Sequence, residues 1–200
     1  MNEQGNTNGT KKGHLTILNG YDTNESLEKD FLKAEISLKE VGNPLNYFSP
    51  FTENVQDAVL KVFYTDKQSV SKEKMIELYE SEAASVIAML MDSNLKEVRF
   101  RNPLCNLHQK SRRIFMSLVC KQVAMGKNVT ILTQDDIIFD TMLLCVKRGL
   151  ISKDDVTVWF YGNNNVAREE VKVVETGGVE FHPRGFLDET EDILFELMGA

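Results

Sequence analysis

Glu170-Val171-Lys172 sets a carboxylate and an amine two residues apart, and Asp155 precedes them by 15 positions. On a strand, residues i and i+2 share one face. An aspartate from one strand and a Glu-x-Lys from the next would therefore offer Mg²⁺ two carboxylates beside an ammonium that helps activate water. That set suits a small Mg²⁺-dependent nuclease; the same residues also describe an edge strand protected by its charges. Cys105 and His108 have the C-x-x-H spacing of metal ligands. Zinc wants four such groups, usually as two pairs, and Cys120, Cys145, His14 and His182 do not pair, so no metal site is expected. Lys96, Arg99, Arg101, Lys110, Arg112 and Arg113 fall within 18 residues, opposed only by Glu97. Such a patch can grip a phosphate, nucleic acid or an acidic partner, or form a solvated face. Ser-His-Asp catalysis has no support: there is no G-x-S-x-G, and the three histidines lie in unrelated contexts.

The elements that would position these residues can be read along the chain. Residues 1–12 read as a disordered tail and His14–Asn19 as a short strand. Asn24 can cap a helix carrying Leu27, Phe31, Ala34, Leu38 and Val41, which stops at Gly42-Asn43-Pro44. A loop with Tyr47, Phe48, Pro50 and Phe51 follows; it is expected to pack on the core, or else to cover a small ligand. Val55, Ala58, Val59 and Val62 mark one face of a short helix. A helical stretch from Ser71 to about Met91 has a break near Ser81.

From residue 95 the pattern alternates. Val98–Arg101 is a strand, His108 or Gln109 opens a helix to about Ala124, Val129–Leu132 is a strand, Asp135–Val146 a helix, and Val156–Tyr161 a strand. Gly126 and Gly149 end the two helices. Such alternation predicts a parallel sheet with crossover helices. Val166–Glu175 and Val179–His182, joined by Thr176-Gly177-Gly178, read as a hairpin. Leu187–Met198 is a last amphipathic helix, acidic through Asp188, Glu189, Glu191, Asp192 and Glu196.

The chain has 200 residues, 42% hydrophobic and 26% charged, enough to bury a core without disulfides or metal. Its 23 basic and 30 acidic residues give a net charge of −7, which excludes a bulk polyanion binder because the whole field repels nucleic acid. The longest nearly unbroken apolar run, Ala83–Met91, is too short for a bilayer. Without an apolar stretch near the start and with three scattered cysteines, a cytoplasmic chain with reduced thiols and no membrane contact is expected.

Four pieces in order carry a resemblance. A strand leads into Asn102-Pro103-Leu104-Cys105-Asn106-Leu107-His108 and a helix. The next strand ends in Thr133-Gln134-Asp135. A third strand follows, and the chain closes with Gly178-Val179-Glu180-Phe181-His182-Pro183-Arg184-Gly185-Phe186-Leu187-Asp188-Glu189. Over about residues 81–198 this resembles the C-terminal half of ATP-binding-cassette ATPases of the RecF and SMC-like branch, nearest to a bacterial group of AAA ATPases. There the pieces read E-N-P-E-x-x-L-H-P, T-H-S and G-x-h-x-x-W-P-x-G-F-F-D-E.

The departures matter most. Hydrolysis needs a phosphate cradle, a metal carboxylate and a group that orients water. No G-x-x-x-x-G-K-[ST] occurs, and the only Gly-Lys pair is Gly126-Lys127. The family's first acid falls on Arg101, the next on Leu104, and its switch histidine on Gln134. Its signature loop matches only Ser81–Ser85, without a glycine. Asn102, Pro103, Leu107, His108, Pro183, Gly185, Phe186 and Asp188 stay as scaffold.

The expected fold is α/β, with a mostly parallel central sheet, flanking helices and a C-terminal hairpin. A mainly helical part over 13–94 and an ATPase-lobe-like part over 95–200 would form one compact domain. The resemblance implies a degenerate, non-hydrolysing lobe without cofactor, working in DNA repair or phage defence beside an intact ATPase or a nuclease. From the basic cluster, the residues expected to bind a phosphate or an acidic partner are Arg99, Arg101, Lys110, Arg112 and Arg113.

Overall fold

The computed structural model describes residues 12–20, 25–32, 53–65, 67–79, 81–162 and 168–198, with backbone alone at 189–192. The expected tail, apart from Lys12, the Tyr47–Phe51 loop and the expected helix beyond Leu32 lie outside the described residues.

Four strands run parallel in one sheet: β1 (Leu15–Gly20), β2 (Glu97–Arg101), β3 (Asn128–Leu132) and β4 (Val156–Tyr161). A two-residue strand, β5 (Glu169–Glu170), adds antiparallel to β4, and the order across the sheet is β2-β3-β1-β4-β5. The three strands expected from residue 97 onward thus share one sheet and one direction. The segment expected to be mainly helical supplies the central strand, because β1 sits between β3 and β4. The parts over 13–94 and 95–200 therefore share a sheet.

Period-two alternation makes the layers. Val98, Val129, Leu15 and Val156 align across four strands, and Phe100, Ile131, Ile17 and Val158 form the next row on the same face. On that face pack α2 (Glu53–Val62), α4 (Glu82–Met91), α5 (Gln109–Ala124) and α6 (Asp136–Lys147), in one cluster that includes Val59, Ile87, Phe115 and Met142. The opposite face is covered by α1 (Glu25–Leu32), whose Leu27 and Phe31 pack with Leu18, Leu132 and Tyr161.

Local chemistry sets the helix ends. The break near Ser81 separates α3 (Lys72–Tyr79) from α4: the Ser81 hydroxyl accepts from Ala84 N–H at 3.2 Å and donates to the Leu78 carbonyl at 2.6 Å. Asp135 caps α6 by accepting from Ile137 N–H. Gly126 and Gly149, with φ of 99° and 67°, end α5 and α6 in the left-handed conformation that suits glycine.

The expected hairpin is present in shorter form. β6 (Val173–Val174) pairs with β7 (Gly178–Val179), while the start of the first arm leaves the hairpin and joins β4 as β5. Val171 causes the division: it is buried against the core, and its N–H donates to the Val158 carbonyl.

The chain closes on Phe186, fully buried between Phe139 of α6 and Phe160 of β4 at ring distances of 4.9 and 5.5 Å, both edge-on. Before the last helix, α7 (Glu189–Leu197), the Asp188 carboxylate accepts from Gly185 N–H at 2.7 Å and holds that turn. Removing the ring leaves a cavity among aromatics that cannot collapse far. Phe186→Ala is expected to lower unfolding free energy by about 3–5 kcal/mol in urea titration.

Candidate functional site

In open α/β sheets, ligands sit outside the carboxyl ends of the strands, where the outgoing connections diverge. After β1 the chain enters α1 on one face; after β3 it enters α6 on the other. The divergence therefore lies between β1 and β3, beside Asn19-Gly20 and Thr133-Gln134-Asp135.

The chain's own polar groups fill that crevice. Asn19 Nδ2 donates to the Thr133 carbonyl at 2.9 Å, and both residues are buried. Gln134 Nε2 donates to the Gly20 carbonyl at 2.7 Å. Asp135, besides capping α6, forms an ion pair with Arg112 from the first turn of α5. Its buried part, the Asn19–Thr133 bond, ties the ends of β1 and β3 together.

Arg101, at the carboxyl end of β2, makes two charge-assisted hydrogen bonds of 2.7 Å to the Glu28 carboxylate on α1 and lies 4.9 Å above the Phe31 ring. Those hydrogen bonds outweigh burial and hold the Glu28 carboxyl below the ordinary carboxylate range. On the other side of α1, Asp30 accepts from the Tyr161 hydroxyl at 2.8 Å and from Arg168 at 2.9 Å. Burial pushes the Tyr161 hydroxyl up to about 12, and the Arg168 guanidinium lies 4.2 Å over the Trp159 ring.

The other expected cations are placed as follows. Arg99 pairs with Glu97, Lys96 donates to the Ser93 carbonyl at 3.2 Å, Lys110 lies 4.3 Å over the Tyr64 ring, and Arg113 is exposed on α5. Arg112 lies inside the crevice rather than on a face. The patch is thus divided: Arg101 and Arg112 knit the sheet ends, while Lys110 and Arg113 face outward.

The turn after β2 is tightly built. Asn102 and Leu104 have φ of 41° and 60°, Asn102 N–H donates to the Leu132 carbonyl at 2.7 Å, and Pro103 is buried. His108 caps α5, its Nδ1 accepting from Lys110 N–H at 3.2 Å. Beneath the turn lies a cavity of about 400 Å³, walled by Val86 and Met89 of α4, by Arg99 and Arg101, and by Leu104 and Leu107. The scaffold positions of the resemblance are therefore turn, cap and anchor residues: Asn102, Pro103, Leu107 and His108 around this cavity, and Pro183, Gly185, Phe186 and Asp188 around the aromatic anchor.

Asp155, Glu170 and Lys172 are not brought together. Asp155 precedes β4, while Glu170 aligns with Trp159, four residues farther along that strand, about 13 Å away. Lys172 pairs with Glu180. Cys105 and His108 do not form a ligand pair either: the thiol is exposed, and the ring is used as a cap. Cys120 and Cys145 are buried on α5 and α6, and their mutual hydrogen bonding raises the Cys120 thiol and lowers that of Cys145. Among the described residues, no group of three or more His, Cys, Asp or Glu could hold a metal ion. None of the described helices is long and apolar enough to cross a membrane.

Asn19, Glu28 and Asp30 carry much of this site, and sequence reasoning passed over them. Their partners lie 73 to 138 residues away, and no local motif marks them. Comparison with protein-family models finds no match, and none of the curated proteins matches the chain.

Lys127 is buried at the start of β3, opposite the carboxyl ends, and donates to the Asp92 carbonyl at 2.6 Å. It is remote from any phosphate cradle. Burial pushes its ammonium down to about 8, against the pull of Asp92. Between about pH 8 and the unfolded value near 10.4, the unfolded chain binds more protons, so stability rises with pH over that window. Chemical denaturation across pH 7.5–10.5 is expected to show this rise in the native chain and to lose it in Lys127→Met.

The Arg101–Glu28 pair is half-exposed, with side-chain exposures of 45% and 35%. A double-mutant cycle with Arg101→Met and Glu28→Gln is expected to give a coupling of roughly 0.5–1 kcal/mol, weakening in high salt. Because Glu28 is held below its unfolded value, that contribution stands above the unfolded pKa and is lost as pH falls through the folded one.

Proposed function

We propose that the chain is a non-catalytic, ATPase-like subunit that acts by binding a protein partner, an intact ATPase or a nuclease, in DNA repair or defence against foreign DNA. The observation that carries this reading is the state of the crevice at the carboxyl ends. Where a phosphate cradle would follow β1, the Gly20 carbonyl is taken by the Gln134 amide. Where a metal carboxylate would end β2, the guanidinium of Arg101 is bound to Glu28. A cation there repels Mg²⁺ and keeps its charge at every accessible pH. The residues present do not fit Mg-ATP.

The outward cations Lys110 and Arg113 offer a local contact for an acidic partner or a nucleic-acid backbone within an acidic protein. With no shared metal ligands in Asp155, Glu170 and Lys172, nuclease chemistry is assigned to the partner.

Differential scanning fluorimetry and a phosphate-release assay test the reading. A nucleotide at a hundredfold excess over its dissociation constant would stabilise the fold by about 2.7 kcal/mol, a plain shift in melting temperature. The expected results are no shift with Mg-ATP and no turnover. A shift or turnover abolished by Gln134→Ala or by Arg101→Met would overturn it.

A further inference from the structure

We propose that α7 is a docking helix that seats in the cavity beneath the 102–107 turn of a second copy of this chain, with the exchange reciprocal. This goes beyond the proposed partner binding and does not depend on it.

The side chains described on this helix, from Ile193 onward, are all exposed. Ile193, Leu194 and Phe195 are half-exposed, and Leu197 and Met198 more so, at 78% and 72%. Five large apolar side chains among six consecutive residues form a patch of the kind that marks an interaction surface. A nine-residue helix has little stability of its own in water, and among the described residues this one is anchored at its root by Phe186 and by the Asp188–Gly185 hydrogen bond.

The cavity offers the matching surface. Val86, Met89, Leu104 and Leu107 give apolar walls, and 400 Å³ accommodates side chains of the size of Leu194 and Phe195. Among the described lining residues Glu82 is the one acid, and Arg99 and Arg101 there are paired with Glu97 and Glu28. Leu107 of the wall is one turn from Lys110, which lies over Tyr64 beside the cavity-lining Phe63.

Charge selects a second copy as the occupant. Residues 185–200 contain five acids and no base. Helix α5, which starts at the cavity, contains no acid, and its first turns present Lys110 and Arg113 outward. Cations in the first turn oppose the helix dipole, and an incoming acidic helix offsets that cost. The root of α7 packs on β4, three strands and about 14 Å across the sheet from β2 and the cavity. Reciprocal exchange between two copies makes both contacts identical and closes the assembly as a two-fold dimer.

Light scattering of the full chain at about 0.1 mM, with thiol labelling of Cys105, tests the proposal. Cys105 lines the cavity and is the one exposed cysteine, Cys120 and Cys145 being buried. The expected result is a dimer with slow Cys105 labelling. Leu194→Asp with Phe195→Asp is expected to give a folded monomer, with native circular dichroism, in which Cys105 labels about tenfold faster and the melting temperature no longer rises with protein concentration; Lys110→Glu with Arg113→Glu weakens the dimer in the same direction. A monomeric native chain, a dimer that survives the α7 substitutions, or dissociation without a change in Cys105 labelling would each overturn it.

Discussion

Leu15, Ile17 and Leu18 leave water only because strands from two later parts of the chain close on both edges of β1. Val129 pairs with Leu15 on one side and Val156 on the other, so the central strand has no edge of its own to hydrate. Both faces are covered as well, by the α2, α4, α5 and α6 cluster and by α1. A parallel strand buried on both faces and both edges tolerates no change of register, because a one-residue slip would carry Thr16 into the apolar rows and Ile17 out of them. The position of every carboxyl-end residue follows from that register.

Helix α1 is fixed to this frame by charge as well as by apolar packing. Glu28 reaches Arg101 at one flank, and Asp30 reaches Tyr161 and Arg168 at the other. The two anchors span the sheet from β2 to β4 and place α1 across the ends of β3 and β1. The Gln134–Gly20 and Asn19–Thr133 bonds lie beneath. The polar groups at the strand ends are turned toward each other.

The α/β alternation, the parallel strands, the helix breaks at Ser81, Gly126 and Gly149 and the last helix were legible in the sequence, since each rests on a local pattern or a single turn residue. His14–Asn19 was legible as a strand, but its place at the centre was not, because a strand pattern carries no address for its partners. The pattern makes the hairpin longer than it is for a related reason: Val171 looks like one more strand residue until β4 is there to receive its N–H. For the site, the basic cluster was visible as charge. Its division into inward ties and outward contacts depends on Glu28 and Asp135, which sit on other elements or beyond them. Asp155, Glu170 and Lys172 matched a chemical spacing along the chain, and only the register of β5 on β4 shows them apart.

The central position of β1 also has a consequence for synthesis. Its hydrogen-bonding partners are encoded more than a hundred residues downstream. While the ribosome makes the intervening helices, the apolar segment Leu15–Leu18 has emerged and has nothing to pair with. Contacts of such long sequence separation must pay loop-closure entropy before they return any energy. The nascent chain therefore carries an unpaired, sticky strand for most of its translation, and that interval is when a chaperone would matter most to its yield.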